Sequence, residues 1–360
     1  MTANREEFIE ALREREAKLV ELLNREKYRQ SFNPKELQEA VYSYLIRPAK
    51  RLRPGILLFS CGAVGGDEER ALSAAAAVEV YHTWTLVHDD IIDNDSKRRG
   101  FPTVHEQFRG YALNEGYSQR EAVDYGRNMA ILAGDLQHAW SIQLILELIN
   151  SGVDNRVVLD LVAKLTELTK GLLEGEALDV LFSKQNIGDL TESDILKMLE
   201  LKTGLLYEYA GVAGASIGLD QTSNENSMIQ AIGSFARKCG TAFQLQDDIL
   251  GIIGDEKRLG KPIGSDIRER KRTVIVLHAF KQADNKDRDY MLKWLGNSSA
   301  SAGEIEKIKQ MLLEYNGVEY VKGLADQIVK QATDELTQLP ESRFKRLLLA
   351  WADYVADREL

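Results

Sequence analysis

The 360-residue sequence predicts an all-α protein, and three observations carry that prediction. The six prolines are Pro34, Pro48, Pro54, Pro102, Pro262 and Pro340, so positions 103 to 261 contain none, as long uninterrupted helices require. Segments 118–149, 154–184, 192–219 and 225–253 are rich in Leu, Ala, Glu and Lys, with apolar residues recurring at three- and four-residue spacing. Alternating β-branched runs, the mark of a half-buried strand, are absent.

In chain order, residues 1–30 predict an additional N-terminal amphipathic helix, with Phe8, Leu12, Leu19 and Leu23 set among many charges. Its mixed charge signs favour packing on the body of the protein or on a partner subunit over lying on a membrane. Break signals follow at Gly65-Gly66-Asp67, at 94–103, at 150–154, at Ile187-Gly188-Asp189, at 254–266 and at 296–299. They separate helices, not domains. With no fixed-period repeat and no low-complexity linker, residues 1–360 read as one helical domain.

Composition narrows the function. At 44% hydrophobic and 28% charged, the chain has material for a large core and is not of the disordered class. No stretch approaches the roughly 18 apolar residues of a membrane span. The charge-dense opening MTANREEFIEALREREAK lacks the apolar core of a signal peptide, so the expected location is the cytoplasm, without stable membrane insertion. Cys61 and Cys239 are too few for a disulfide framework and lack metal-ligand spacing. The formal net charge of -10 argues against general nucleic-acid binding, yet it allows a local basic pocket for an anionic substrate.

The most informative segment is VEVYHTWTLVHDDIIDNDSKRRGFPTVH, residues 78 to 105. On a helix, Asp89 and Asp93 share a face, while Asp90 points about 100° away. Like charges at that spacing destabilise a bare helix, and oxygen-only ligands suit Mg²⁺ completed by water and substrate phosphate. His82, seven residues earlier, falls on nearly the same face. A solvated helix end could carry the same acidic residues, but a second pair, Asp247-Asp248 in FQLQDDILG, lies 158 residues further on. Two such clusters could clamp one metal-bridged diphosphate. Cations lie where a polyanion would need them: Lys50, Arg51 and Arg53 in PAKRLRP, then Lys97, Arg98 and Arg99, then Lys202, Lys261 and Lys271. Each group alone could be a solvated face. With two carboxylate pairs they describe a site for diphosphate and metal.

These motifs, in this order, resemble those of the trans-isoprenyl diphosphate synthases from about residue 45 to the C-terminus. PAKRLRP resembles the family's GGKRLRP, DDIIDNDSKRRGFPTVH its first aspartate-rich motif, and AGD at 133–135 its next short signature. GEALD at 175–179 resembles GQxxD, KTG at 202–204 the KT motif, FQLQDD the second aspartate-rich motif, and GKPIGSDIRERKRT the closing phosphate loop. The resemblance implies a single-domain bundle of long, mostly antiparallel helices around a central cavity, working as a homodimer. It implies that Lys50, Arg53, His82 and Arg99 bind isopentenyl diphosphate and that Arg98, Lys202, Lys261 and Lys271 hold the allylic diphosphate. Mg²⁺ would be shared by Asp89, Asp93, Asp247 and Asp248, and Thr203 and Gln244 would turn oxygen dipoles toward the developing cation. Three departures stand out: Gly251 in place of a third aspartate, Glu176 in place of the glutamine of GQxxD, and Ala49 in place of a glycine.

Bulky Trp84 five places before Asp89, with small Thr85 at four and Tyr81 at eight, resembles the pattern of archaeal and eukaryotic geranylgeranyl diphosphate synthases. A helical wheel sets Trp84 about 140° from the aspartate face, so a blocking role comes from the resemblance, and an ordinary core role stays equally open. Farnesyl diphosphate or a mixed short-chain product is the alternative. A class I terpene cyclase would carry an NSE-like triad instead of FQLQDD, and a non-catalytic synthase subunit would have lost carboxylates that are intact here.

Overall fold

The computed structural model describes residues 3–254, 265–297 and 299–357. The all-α expectation holds: among these residues the sole sheet is a pair of two-residue strands, Lys97–Arg98 against Phe101–Pro102. That hairpin corrects the expectation of no strand. Its strands are too short to show alternation, and Arg99 and Gly100 form the two-residue turn with φ of 54° and 82°.

The residues form two compact units. The first comprises Met1–Leu165, Ala210–Gln230 and Leu339–Leu348. Its leading helices are α1 (Ala3–Leu23), α2 (Glu26–Arg29), α3 (Lys35–Tyr42), α4 (Leu52–Ala63), α5 (Leu72–Ile92), α6 (Val104–Asn114) and α7 (Gln119–Leu146). Helix α7 starts at a capping box, the Ser118 hydroxyl accepting from the Glu121 backbone N–H while the Glu121 carboxylate accepts from Ser118 N–H. It packs against α3, α5 and α6. Helix α1 lies on the body of this unit: Phe8 reaches the Phe59 ring of α4 at 6.1 Å, and Arg15 holds the Glu68 carboxylate through two 2.6 Å hydrogen bonds. Leu19 and Leu23 are fully buried, so the apolar stripe legible in the sequence faces protein.

The second unit comprises Thr166–Tyr209, Ala231–Gln338 and Leu349–Leu360. It takes most of α8 (Asn155–Phe182), then α9 (Glu192–Leu199), a π-turn at Glu200–Gly204, the start of α10 (Leu205–Leu219) and most of α11 (Ser227–Ile253). Thr191 and Asp194 cap α9 as Ser118 and Glu121 cap α7. Trp351 is fully buried against Tyr207 and Phe235, with ring centroids 5.1 and 5.6 Å away. No helix among the described residues is long and apolar enough to cross a membrane.

Candidate active site

In the first unit, DDIID ends α5. Asp93 is the C-cap, and its N–H donates to the Asp89 carbonyl at 2.8 Å, which keeps both carboxylates on one half-exposed face. Asp90 turns inward and is fully buried. Its carboxylate accepts from Tyr44 Oη and from the Arg98 guanidinium, with Arg98 Nε at 2.8 Å. Arg98 also reaches Asp89 at 3.2 Å and Asp95 at 3.4 Å. Burial works against its charge, but Asp90 and Asp89 outweigh it and push the guanidinium above its ordinary pKa. The hairpin thereby fixes Arg98 within a carboxylate cluster and leaves Arg99 exposed at its tip.

PAKRLRP separates into two roles. Arg51 sits at φ 43° and is buried, held by Glu79, by Glu16 at 3.3 Å and by the Leu45 carbonyl at 2.7 Å. It anchors the turn into α4, while Lys50 is exposed and Arg53 half-exposed. Arg53 Nη1 lies 3.1 Å from His82 Nε2. Guanidinium can only donate, so Nε2 accepts and the ring proton sits on Nδ1. Thr85 matches that tautomer: its hydroxyl donates to the His82 carbonyl at 2.8 Å and its oxygen lies 3.4 Å from Nδ1.

Burial first, then the charges of Arg53, Arg99 and Arg98, hold His82 well below the ordinary histidine pKa. The folded protein therefore keeps His82 neutral while the unfolded chain protonates near its ordinary value of about 6.5, so this residue lowers stability as pH falls below that value. His82 ring signals are expected to stay unshifted in NMR spectra from about pH 7.5 to about 5.5. A midpoint near the ordinary value would contradict the assigned tautomer and its cause.

Trp84 and Tyr81 are buried, with ring centroids 4.9 Å apart, and Trp84 meets His138 of α7 at 4.6 Å. His88 adjoins the same cluster, its ring 5.9 Å from that of Trp84.

In the second unit, GEALD, KTG and the Lys271-Arg272 pair of ERKRT converge. Gly175 of α8 allows close approach to the π-turn, for a Cβ there would lie 2.5 Å from Lys202 N and 2.9 Å from Leu201 C. Lys202 Nζ then contacts Glu176 Oε2 at 2.8 Å and Asp179 Oδ2 at 2.7 Å, and Lys271 Nζ meets the same Asp179 oxygen at 3.0 Å. Burial alone would raise the Asp179 pKa, but Lys202 and Lys271 outweigh it and hold the carboxyl below its usual range. Arg272 is buried and donates to the Phe182 and Gln185 carbonyls at 3.3 and 2.7 Å, fastening the end of α8 to the segment that carries Lys271. Gly204 plays the same part toward α11, where a Cβ would meet Thr241 Oγ1 at 2.7 Å. Thr203 Oγ1 donates to Gln244 Oε1 at 3.2 Å, and Gln244 Nε2 donates to Asp248 Oδ1 at 3.1 Å.

The expected site residues therefore fall into Lys50, Arg53, His82, Asp89, Asp93, Arg98 and Arg99 in the first unit, and Lys202, Thr203, Gln244, Asp247, Asp248 and Lys271 in the second. Lys261 lies outside the described residues. Sequence reasoning missed the roles of Tyr44, Asp90 and Asp179. Asp179 left a signal as the last residue of GEALD, three after Glu176 on one helix face, and Asp90 one in its turn away from Asp89 and Asp93; Tyr44 left none. The donor set fits a hard cation, being carboxylate oxygen throughout. Among the described residues no three His, Cys, Asp or Glu side chains come close enough to hold a metal alone, so each pair would need water or substrate oxygens to complete a shell.

Residues 34–312 match the family model described as polyprenyl synthetase. A geranylgeranyl diphosphate synthase of Saccharolobus solfataricus is 36% identical over 310 residues, 86% of this chain and 86% of that protein. Another, of Sulfolobus acidocaldarius, is 38% identical over 304 residues, 84% of each chain. The crystal structure of geranylgeranyl pyrophosphate synthetase from Pyrococcus horikoshii Ot3 aligns with a TM-score of 0.82 at 34% identity, covering 99% of this chain and 98% of that one. Together with the helical fold, these likenesses define a prenyltransferase. The chain belongs to the polyprenyl synthetase family.

Proposed function

We propose that the protein condenses isopentenyl diphosphate head-to-tail with an allylic diphosphate, releasing inorganic diphosphate and building geranylgeranyl diphosphate. One observation carries this: each unit has its own group of cations, Arg53 and Arg99 beside neutral His82 in the first and Lys202 with Lys271 in the second. Two diphosphate substrates need two such groups; a cyclase acting on one substrate does not. On this reading Lys50, Arg53, His82 and Arg99 bind isopentenyl diphosphate, and Arg98, Lys202, Lys261 and Lys271 hold the allylic partner. His82, neutral and with its Nε2 lone pair turned to Arg53, orients that guanidinium without adding charge of its own.

Mg²⁺, held by Asp89 and Asp93 in the first unit and by Asp247 and Asp248 in the second, would supply charge neutralisation for the departing diphosphate. The allylic C–O bond breaks, the isopentenyl double bond attacks the resulting carbon, and the released diphosphate takes the proton that restores the alkene. Thr203 and Gln244 support the cation with oxygen dipoles, and Gln244 is oriented for this by its amide bond to Asp248. Trp84 and Tyr81, with Thr85 between them and Asp89, would floor the chain pocket. A homodimer fits the exposed Tyr111 of α6 and the exposed Ile131 and Leu132 of α7. The whole chain would act as one catalytic domain in the cytoplasm.

Incubation with isopentenyl diphosphate, farnesyl diphosphate and Mg²⁺ is expected to release diphosphate only when both prenyl substrates are present, to stop with chelator, and to give a twenty-carbon product. Release from farnesyl diphosphate alone would mark a cyclase. A fifteen-carbon end product from shorter primers would favour the farnesyl alternative.

A further inference from the structure

Glu176 stands where the family motif has glutamine, and it is not idle there: its carboxylate is paired with Lys202 at 2.8 Å. Lys202 is therefore bracketed by Glu176 and by Asp179 at 2.7 Å, and Asp179 also holds Lys271 at 3.0 Å. Within this group of four, two carboxylates balance two ammonium groups. All four side chains are largely covered, from 9% exposed at Asp179 to 23% at Lys202, so the charges act on one another with reduced solvent screening. A glutamine at 176 would keep the hydrogen bond to Lys202 and remove one negative charge, leaving the group with a net positive charge.

We propose that Glu176 is an internal counter-ion that weakens this chain's allylic-diphosphate subsite, competing with the incoming diphosphate for Lys202 and easing departure of the diphosphate product. The inference rests on the proposed assignment of Lys202 and Lys271 to the allylic diphosphate. Physically, an anion arriving at Lys202 must displace or share a carboxylate already in contact with it. Asp179 serves both lysines and keeps them from repelling each other; Glu176 contacts Lys202 with its own carboxylate and can yield it. It is thus a positioning residue that sets affinity, not a group that reacts.

The test is Glu176→Gln. The expected result is a KM for the allylic diphosphate about three- to tenfold lower, the scale of one partly covered charge contact. The KM for isopentenyl diphosphate should stay unchanged, and inhibition by inorganic diphosphate should strengthen by a similar factor. Glu176→Asp, which restores the charge, should return both values toward the wild type. A purely structural role would move both substrates together, or raise KM. An unchanged or raised allylic KM in Glu176→Gln, with wild-type enzyme active, overturns the counter-ion role alone. Wild-type enzyme that turns over no prenyl diphosphate overturns the functional assignment beneath it.

Discussion

Replacing Asp89 with alanine is expected to lower turnover by at least about a thousandfold while leaving helical content unchanged. The carboxylate lies on the open face of α5, one turn from Asp93, with 21% of its side chain exposed. Arg98 meets its carboxylate at 3.2 Å, and Arg98 keeps Asp90 and Asp95 when Asp89 is gone. The lost pair is part-exposed, so the stability change should stay within about 1 kcal/mol. Steady-state kinetics beside circular dichroism separates the two effects. If kcat stays within about tenfold of wild type, the first aspartate cluster does not take part in the chemistry.

How legible these residues were in the sequence follows from what each signal depends on. The long helices declared themselves through missing prolines and apolar spacing, and α7, α8 and α11 run within a few residues of the segments read from the chain. That Asp90 departs from the face of Asp89 and Asp93 was readable from helical geometry alone. What closed around Asp90 was not, because Tyr44 lies 46 positions earlier and a single tyrosine in PAKRLRP's approach carries no pattern. Arg51 shows the same limit. Within a basic run all cations look alike, and only packing shows that Arg51 is buried against Glu79 while Arg53 turns to His82. The Glu176–Lys202 contact is a third case: the substitution was visible as a departure, but its meaning needed the π-turn that sets Lys202 over α8. Long-range charge pairing is decided by which elements meet, and local spacing does not contain that.

The neighbouring Asp90 should behave in the opposite way to Asp89, and the contrast tests the whole reading of this helix end. Asp90 is fully buried, and its carboxylate gathers Tyr44 from the segment after α3 and Arg98 from the hairpin onto α5. Burial and the nearby Asp90 charge raise the Tyr44 pKa, so the phenol keeps its proton and remains a donor; the same hydroxyl accepts from Val104 N–H at 3.1 Å at the start of α6. Asp90→Ala would leave the buried phenol without its acceptor and a largely covered guanidinium with only its longer contacts to Asp89 and Asp95 at 3.2 and 3.4 Å, a loss of about 3 kcal/mol, the low end for a broken buried pair. Thermal or denaturant unfolding should show that loss in full, whereas Tyr44→Phe, which removes a neutral hydroxyl that donates to Asp90 and accepts from Val104 N–H, should cost about 1–2 kcal/mol. The double variant should lose less than the sum of the two singles, since both act on one network. A fully stable Asp90→Ala would mean that Arg98 finds other anions at no cost, and the carboxylate cluster would then not be what holds the hairpin in place.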